Sequence, residues 1–172
     1  MNASTIKPFN IAINGFGRIG RNVLRAYIER FCQNPLQLQP LNIVAINDIA
    51  EPATLLHLLK YDSTHGRLSA VSDIHIELKT LDLGEKQQHF LLLSQGEFQQ
   101  KIALIQQPLA TKLPWQKLGI DMVLESTAHF RSYEQASQHI MAGAHQVINA
   151  AAPVAPLDPG SVVGLIAPCI RR

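Results

Sequence analysis

Residues 9–31 read FNIAINGFGRIGRNVLRAYIERF, and this stretch restricts the fold more than any other in the chain. Phe9–Asn14 is a short apolar run ending in glycine, the pattern of a buried strand. Arg18–Cys32 reads as a helix. Ile19, Val23, Tyr27 and Phe31 recur every four residues and form one face, while Arg21, Arg25 and Glu29 fall largely elsewhere. Between the two lies Gly15-x-Gly17-x-x-Gly20. Each glycine has a separate use: the first makes a tight turn, the second lets backbone approach a ligand, and the third packs helix against strand. A bare strand–helix turn can carry the same glycines, so the neighbouring sequence has to decide.

The neighbours favour a nucleotide. QNPLQLQP (33–40) breaks the helix with two prolines, and Asn42–Asn47, NIVAIN, is a second buried strand. Strand, glycine turn, helix and strand make a βαβ unit. Free N–H groups at the helix N-terminus, near Arg18 and Ile19, then face phosphate. Asp48 ends the second strand, where a carboxylate accepts hydrogen bonds from the adenosine ribose and repels a 2′-phosphate. NAD is therefore favoured over NADP. The interval from Gly20 to Asp48 exceeds the usual one of about 20 residues, and the proline-rich loop accounts for the excess.

Further along, Pro52 suits the first turn of a helix that Ala53–Lys60 continues. YDSTHGR (61–67) is a polar loop. Ile74, Ile76 and Leu78 alternate with polar residues, and HFLLL and KIALI flank the SQGE turn. This stretch reads as an antiparallel insertion on the edge of a parallel sheet. LPWQKLG is a turn or short helix, and Met122–Glu125 is another buried strand. Ser132 and Gln135 fit a capping box, opening a helix to about Ala142 that stops at Gly143. Gln146–Asn149 is a further strand.

Composition excludes several classes. The 172 residues suffice for one domain with a core. Formal charge is +2, with Lys and Arg scattered, which gives no electrostatic case for nucleic acid or a membrane surface. No apolar run approaches the roughly 20 residues of a membrane span, and MNASTIKPF lacks a signal-peptide pattern. Cys32 and Cys169 form neither a disulfide framework nor a metal spacing, so a cytoplasmic protein is expected. Cys32, at the helix end, reads as a packing residue, and Trp115 as core or cover. No metal site is expected from the seven histidines. His139 and His145, separated by a helix stop, read as surface or loop histidines. Asp62, Ser63 and His65 are too close in sequence for a triad, whose members normally converge from separate segments.

INGFGRIGRNVLRA, VAIND, LLKYDSTHGRL and VLESTAHF resemble the N-terminal half of the phosphorylating glyceraldehyde-3-phosphate dehydrogenase family, which includes the closely similar erythrose-4-phosphate dehydrogenases. The resemblance runs from about residue 9 to about residue 153. It implies an α/β fold: a Rossmann-type, doubly wound, mostly parallel sheet with the antiparallel edge insertion. It also implies NAD as cofactor. Asn14, Gly15, Phe16, Gly17, Arg18 and Ile19 match the pyrophosphate loop that Gly20 completes. Asp48 matches the adenosine-ribose carboxylate, and Ser126 and Thr127 the segment passing the nicotinamide end. Gln107 falls in the loop beside adenine, where the family usually has Glu-Arg and this chain reads Gln106-Gln107-Pro108.

Other departures are Ala128 in place of a glycine, whose added methyl is expected to crowd the cofactor, and NAAAP in place of a Ser-Ala-Pro strand end. The family's catalytic cysteine lies in Ser-x-x-Ser-Cys-Thr-Thr-Asn, and this chain has no such segment. The expected organisation is an NAD-binding domain over 1–153 and a divergent tail over 154–172, with the catalytic domain absent. Cys169, near the end between Pro168 and Ile170, is not expected to replace the missing nucleophile. In the full-length family, aldehyde phosphate, inorganic phosphate and NAD give acyl phosphate and NADH. This chain alone is expected to be inactive, with no catalytic residue of its own. Its substrate class, glyceraldehyde 3-phosphate or erythrose 4-phosphate, stays open. The alternative is a free-standing nucleotide-binding module with a non-catalytic role. Partners are NAD(H) and, through apolar surface that a family helix normally covers, further copies of itself.

Overall fold

In the computed structural model, residues 7–34, 40–70, 72–84, 86–130 and 132–150 are described, with the backbone of 169–171. The remainder of the proline-rich loop, residues 151–153 of the NAAAP strand end and most of the expected tail lie outside these residues.

Strand β1 (Phe9–Asn14) leads into helix α1 (Arg18–Gln33), β2 (Leu41–Asn47) and α2 (Pro52–Lys60). A small hairpin of β3 (Tyr61–Asp62) and β4 (Gly66–Arg67) follows where a polar loop is expected. Three longer strands come next: β5 (His75–Leu83), β6 (Lys86–Gln95) and β7 (Phe98–Ile105). The chain continues through α3 (Trp115–Leu118), β8 (Met122–Glu125), α4 (Tyr133–Met141), β9 (Gln146–Asn149) and β10 (Cys169–Arg171). The capping box at Ser132 forms as the sequence predicts, with Ser132 and Gln135 each accepting the other's backbone N–H.

The main sheet has the order β10-β9-β8-β1-β2-β7-β6-β5. Pairing is parallel from β9 through β8, β1 and β2 to β7. It is antiparallel for β7 with β6, β6 with β5, and β9 with β10. KIALI thus belongs to both regions, closing the parallel core on one side and carrying the antiparallel insertion on the other. From β1 the chain first builds outward through β2, then crosses back to place β8 on β1's other side. That reversal opens a crevice beyond the C-terminal ends of β1 and β8.

Alternation along the strands divides the interior into two layers. Ile13, Ile43 and Ile46 face α1 and α2, meeting Leu24, Ile28, Leu55 and Leu59. Ala12, Ala45, Val123 and Val147 face the other way, against Trp115, Ile120 and Ala136. Small residues on this second face leave room for the tryptophan.

The buried side of α1 differs from the expected one. Gly20, Leu24, Arg25 and Ile28 are buried, whereas Ile19 and Val23 are 46% and 36% exposed. The cause is Gly20: only the side of the helix without a Cβ can press on the preceding turn, and Leu24 and Ile28 follow it at helical spacing. Arg25 accompanies them because its guanidinium finds three backbone acceptors. It donates to the carbonyls of Leu59 (3.0 Å), His65 (3.2 Å) and Gly66 (3.1 Å), holding the β3–β4 hairpin to the helix. Among the described residues no helix is long and apolar enough to cross a membrane.

Candidate functional site

The glycine turn shows directly what each glycine does. Gly15 has φ +91°, and a Cβ there would lie 2.7 Å from both Cγ2 and N of Thr127. A Cβ on Gly20 would stand 2.2 Å from the Gly15 carbonyl oxygen and 3.2 Å from Ser126 Oγ. Both positions are closed by the protein's own atoms. Gly17 differs: its φ is an ordinary −68°, and a Cβ would meet nothing within 4 Å. Its missing side chain therefore leaves open space at the N-terminus of α1. No side chain caps that end and no acidic residue stands in the first turn. The N–H groups of Arg18, Ile19 and Gly20 have no acceptor within the helix, and the helix dipole adds positive potential there.

This end of α1 borders a cavity of about 460 Å³ at the C-terminal ends of the parallel strands. Asn14, Gly15, Gly17, Asp48, Gln107, Ser126 and Thr127 all line it. The sequence-predicted residues Phe16, Arg18, Ile19 and Gly20 do not. Phe16 is buried in the core beside α1. The Arg18 guanidinium reaches away to donate to Thr64 Oγ1 (2.8 Å). Ile19 is exposed, and Gly20 is packed against the turn. Only the backbone of these four can serve a ligand, and the Phe16 N–H is already committed: it donates to Asp48 Oδ2 (2.7 Å).

Asp48 also accepts the Ala50 N–H at Oδ1 (2.9 Å). Each carboxylate oxygen thus has one backbone partner and further acceptor capacity. Asn47 links the neighbouring loop, accepting the Gln107 N–H (2.9 Å) and donating to the Gln107 carbonyl (3.0 Å). Gln106 donates to the Ala50 carbonyl (3.2 Å), and the Gln107 side chain accepts the Leu109 N–H (3.0 Å). The glutamines that replace Glu-Arg brace their own loop. Pro108, from the same loop, lines the cavity too, and Ile49, His129 and Phe130, for which no sequence pattern signals a role, complete much of the lining.

Beneath the cavity lies a buried polar chain that the sequence reading missed. His139, expected at the surface or in a loop, is wholly buried, as is Glu125. Glu125 Oε1 accepts both the backbone N–H (2.7 Å) and the hydroxyl (2.5 Å) of Thr127. Oε2 accepts Asn14 Nδ2 (2.5 Å) and lies 2.9 Å from His139 Nε2. On the far side of the ring, the Trp115 indole N–H donates to His139 Nδ1 (3.0 Å). The physical reason is that α4 presents His139 inward, beside the Trp115 and Phe130 rings, where each of its nitrogens finds a partner from another element. His145 does match the surface reading, being largely exposed beside Asp121 (3.3 Å).

At the end of β8, Ser126 Oγ donates within reach of two carbonyls, Asn14 (3.1 Å) and Gly15 (2.6 Å), tying this turn to the glycine turn. Ala128 follows with φ +62°, the one non-glycine residue with positive φ among the described residues. Cys32 packs against the α1-side core, and burial pushes its thiol up, away from nucleophile behaviour. Among the described residues no group of three or more potential ligands is arranged to hold a metal ion.

Residues 9–133 match the family described as glyceraldehyde 3-phosphate dehydrogenase, NAD binding domain. Glyceraldehyde-3-phosphate dehydrogenase from Kitasatospora aureofaciens is 41% identical over 138 residues, covering 80% of this chain and 35% of that protein. The enzyme of the same name from Thermotoga maritima matches with the same identity and coverage, 41% over 138 residues. The chain thus spans about a third of the length of these curated relatives.

Proposed function

Because the chain belongs to the glyceraldehyde 3-phosphate dehydrogenase family through its NAD-binding domain, we propose that it holds NAD in the cavity between β1 and β8 for a phosphorylating aldehyde dehydrogenase. The observation that carries this is the pairing, on one cavity, of a bare helix N-terminus at Gly17 with the Asp48 carboxylate. A dinucleotide needs both: N–H donors for its pyrophosphate and an acceptor for its ribose hydroxyls.

In this reading the backbone of Gly17, Arg18 and Ile19 receives the pyrophosphate. Asp48, steadied by Phe16 and Ala50, receives the adenosine ribose. The Asn47-braced loop at Gln107 borders the adenine. Ser126 and Thr127 orient the nicotinamide end, and Asn14 stands with the pyrophosphate loop. Bound NAD supplies a ring that accepts hydride from a substrate carbon. This chain's residues bind and orient that ring, and among the described residues the one cysteine side chain, Cys32, has its thiol pushed up by burial and is no thiolate to create the hydride donor. The substrate class proposed is glyceraldehyde 3-phosphate, the substrate in its relatives' names, with erythrose 4-phosphate as the alternative. The 172 residues by themselves are expected not to turn over. We also assign the chain to the cytoplasm, in keeping with its cysteine usage and scattered charge.

Titration calorimetry with NAD and NADP tests the reading. Tighter NAD binding, with the gap narrowed by Asp48→Ala, is the expected result. Equal affinity for both cofactors in the unmutated chain would remove Asp48 from its role. NADH formation with either aldehyde phosphate, phosphate present, should stay at background.

A further inference from the structure

The buried chain under the cavity has a direction, and the direction follows from donor chemistry. An indole N–H only donates. His139 Nδ1, which receives it at 3.0 Å, therefore carries no proton. The ring's proton sits on Nε2 and points at Glu125 Oε2, 2.9 Å away. The contact is thus a hydrogen bond from a neutral imidazole. With it, four donors converge on two carboxylate oxygens: the Thr127 N–H, the Thr127 hydroxyl, Asn14 Nδ2 and His139 Nε2. Every direction in which the carboxylate accepts is filled, so it cannot rotate without leaving a buried donor unpaired.

Asn14 ends β1 and Thr127 follows β8, on opposite sides of the strand-order reversal, and both line the cavity. Glu125 is the side chain that holds both at once. We propose that His139, oriented by Trp115, is a positioning residue for the cofactor cleft: its Nε2–H locks Glu125 in the orientation that fixes Asn14 and Thr127 relative to each other. This rests on the reading of the cavity as the NAD site. It adds a residue from α4 that does not line the cavity.

Two substitutions separate positioning from packing. Glutamine places an amide near the ring's Nε2 and keeps a donor for Glu125. Asparagine places its amide near Nδ1, keeping an acceptor for Trp115 but no donor for Glu125. In the full 172-residue chain, His139→Asn is expected to raise the NAD dissociation constant about tenfold. It should speed hydrogen exchange at the Thr127 amide by a similar factor. His139→Gln should hold both within about threefold of the unmutated chain, although both variants lose melting temperature. Affinity and exchange that follow melting temperature equally in the two variants would overturn the proposal, as would His139→Asn leaving either unchanged. Should the variants not fold, the 15N-labelled unmutated chain decides by long-range ¹H–¹⁵N correlation. The Nε2–H tautomer supports the proposal, and an Nδ1–H or doubly protonated ring overturns it. Failure of the unmutated chain to bind NAD would count against the proposed function, while tautomer and Thr127 exchange still judge the positioning role.

Discussion

The cleft has two walls, and they are built by different means. The β1–α1 wall is fixed by sterics: a Cβ on Gly20 would collide with the Gly15 carbonyl oxygen, 2.2 Å away, and one on Gly15 with the Thr127 backbone of the facing turn, 2.7 Å away. The wall at the end of β8 is fixed by hydrogen bonds from distant elements. There Glu125 gathers donors from β1, from the following turn and from α4, and the turn contains Ala128 in a backbone conformation that suits glycine. One wall excludes side chains, whereas the other depends on them.

The largest effect is expected where the second wall is concentrated. Glu125→Ala leaves Asn14, Thr127 and His139 with buried donors and no acceptor, and about 4 kcal/mol should be lost in a urea melt. A loss below about 1 kcal/mol would mean that water replaces the carboxylate, and the contrast between the walls would fail. Gly20→Ala probes the first wall. Its methyl would have to displace the Gly15 carbonyl, Ile13 or Ser126, and overpacking of this kind costs about 3 kcal/mol. Gly17→Ala sharpens the point, because its methyl meets nothing within 4 Å. Stability should change by less than about 1 kcal/mol, while NAD affinity falls because the methyl enters the ligand's side of the turn.

These two walls were unequally legible in the sequence. Glycine spacing reports local geometry, so the turn, β1, β2 and Asp48 at the end of β2 could all be read from residues close together. Met122–Glu125 and Gln146–Asn149 were recognisable as strands because short apolar runs ended at clear stops. His139 was not legible. Its partners lie 14 and 24 positions away in sequence, and no local pattern separates a histidine on a polar helix face from one aimed at a buried carboxylate. The face of α1 was misplaced for a related reason. Four-residue recurrence of Ile19, Val23, Tyr27 and Phe31 ignores where the helix must touch the preceding turn, and Gly20 decides that.

A smaller test concerns the β3–β4 hairpin, which meets the glycine wall through Arg18 and Thr64. Asp62 accepts the backbone N–H groups of His65 and Thr64, 2.8 Å each. These bonds hold its carboxyl well below the usual carboxylate range. A carboxyl lowered by folding stabilises fully above its unfolded value, about 4, and loses that contribution as acid carries the pH down through the folded value. Acid titration followed by circular dichroism should therefore show a decline in stability beginning below about pH 4. In Asp62→Asn that part of the decline should be missing. An unchanged acid profile would show that the hairpin is held by Arg25 and Arg18 without help from Asp62.

The smallest expected effect is a gain. At φ +62°, Ala128 sits in the left-handed region, where its Cβ crowds the following carbonyl. That conformation costs about 1–2 kcal/mol for a residue with a Cβ, and glycine removes the cost. Glycine also gives the unfolded chain more freedom, which returns roughly 0.5–1 kcal/mol of the gain. Ala128→Gly should therefore stabilise by about 0.5–1 kcal/mol, a rise of about 1–4 °C in melting temperature for a chain of this size. Ala128 is exposed and does not line the cavity, so NAD affinity should move little. Ala128→Val makes the opposite prediction, since β-branching worsens the same clash. A valine variant as stable as the parent would show that the turn relaxes out of positive φ. The second wall would then be set by the Glu125 hydrogen bonds to Thr127 with no contribution from backbone strain.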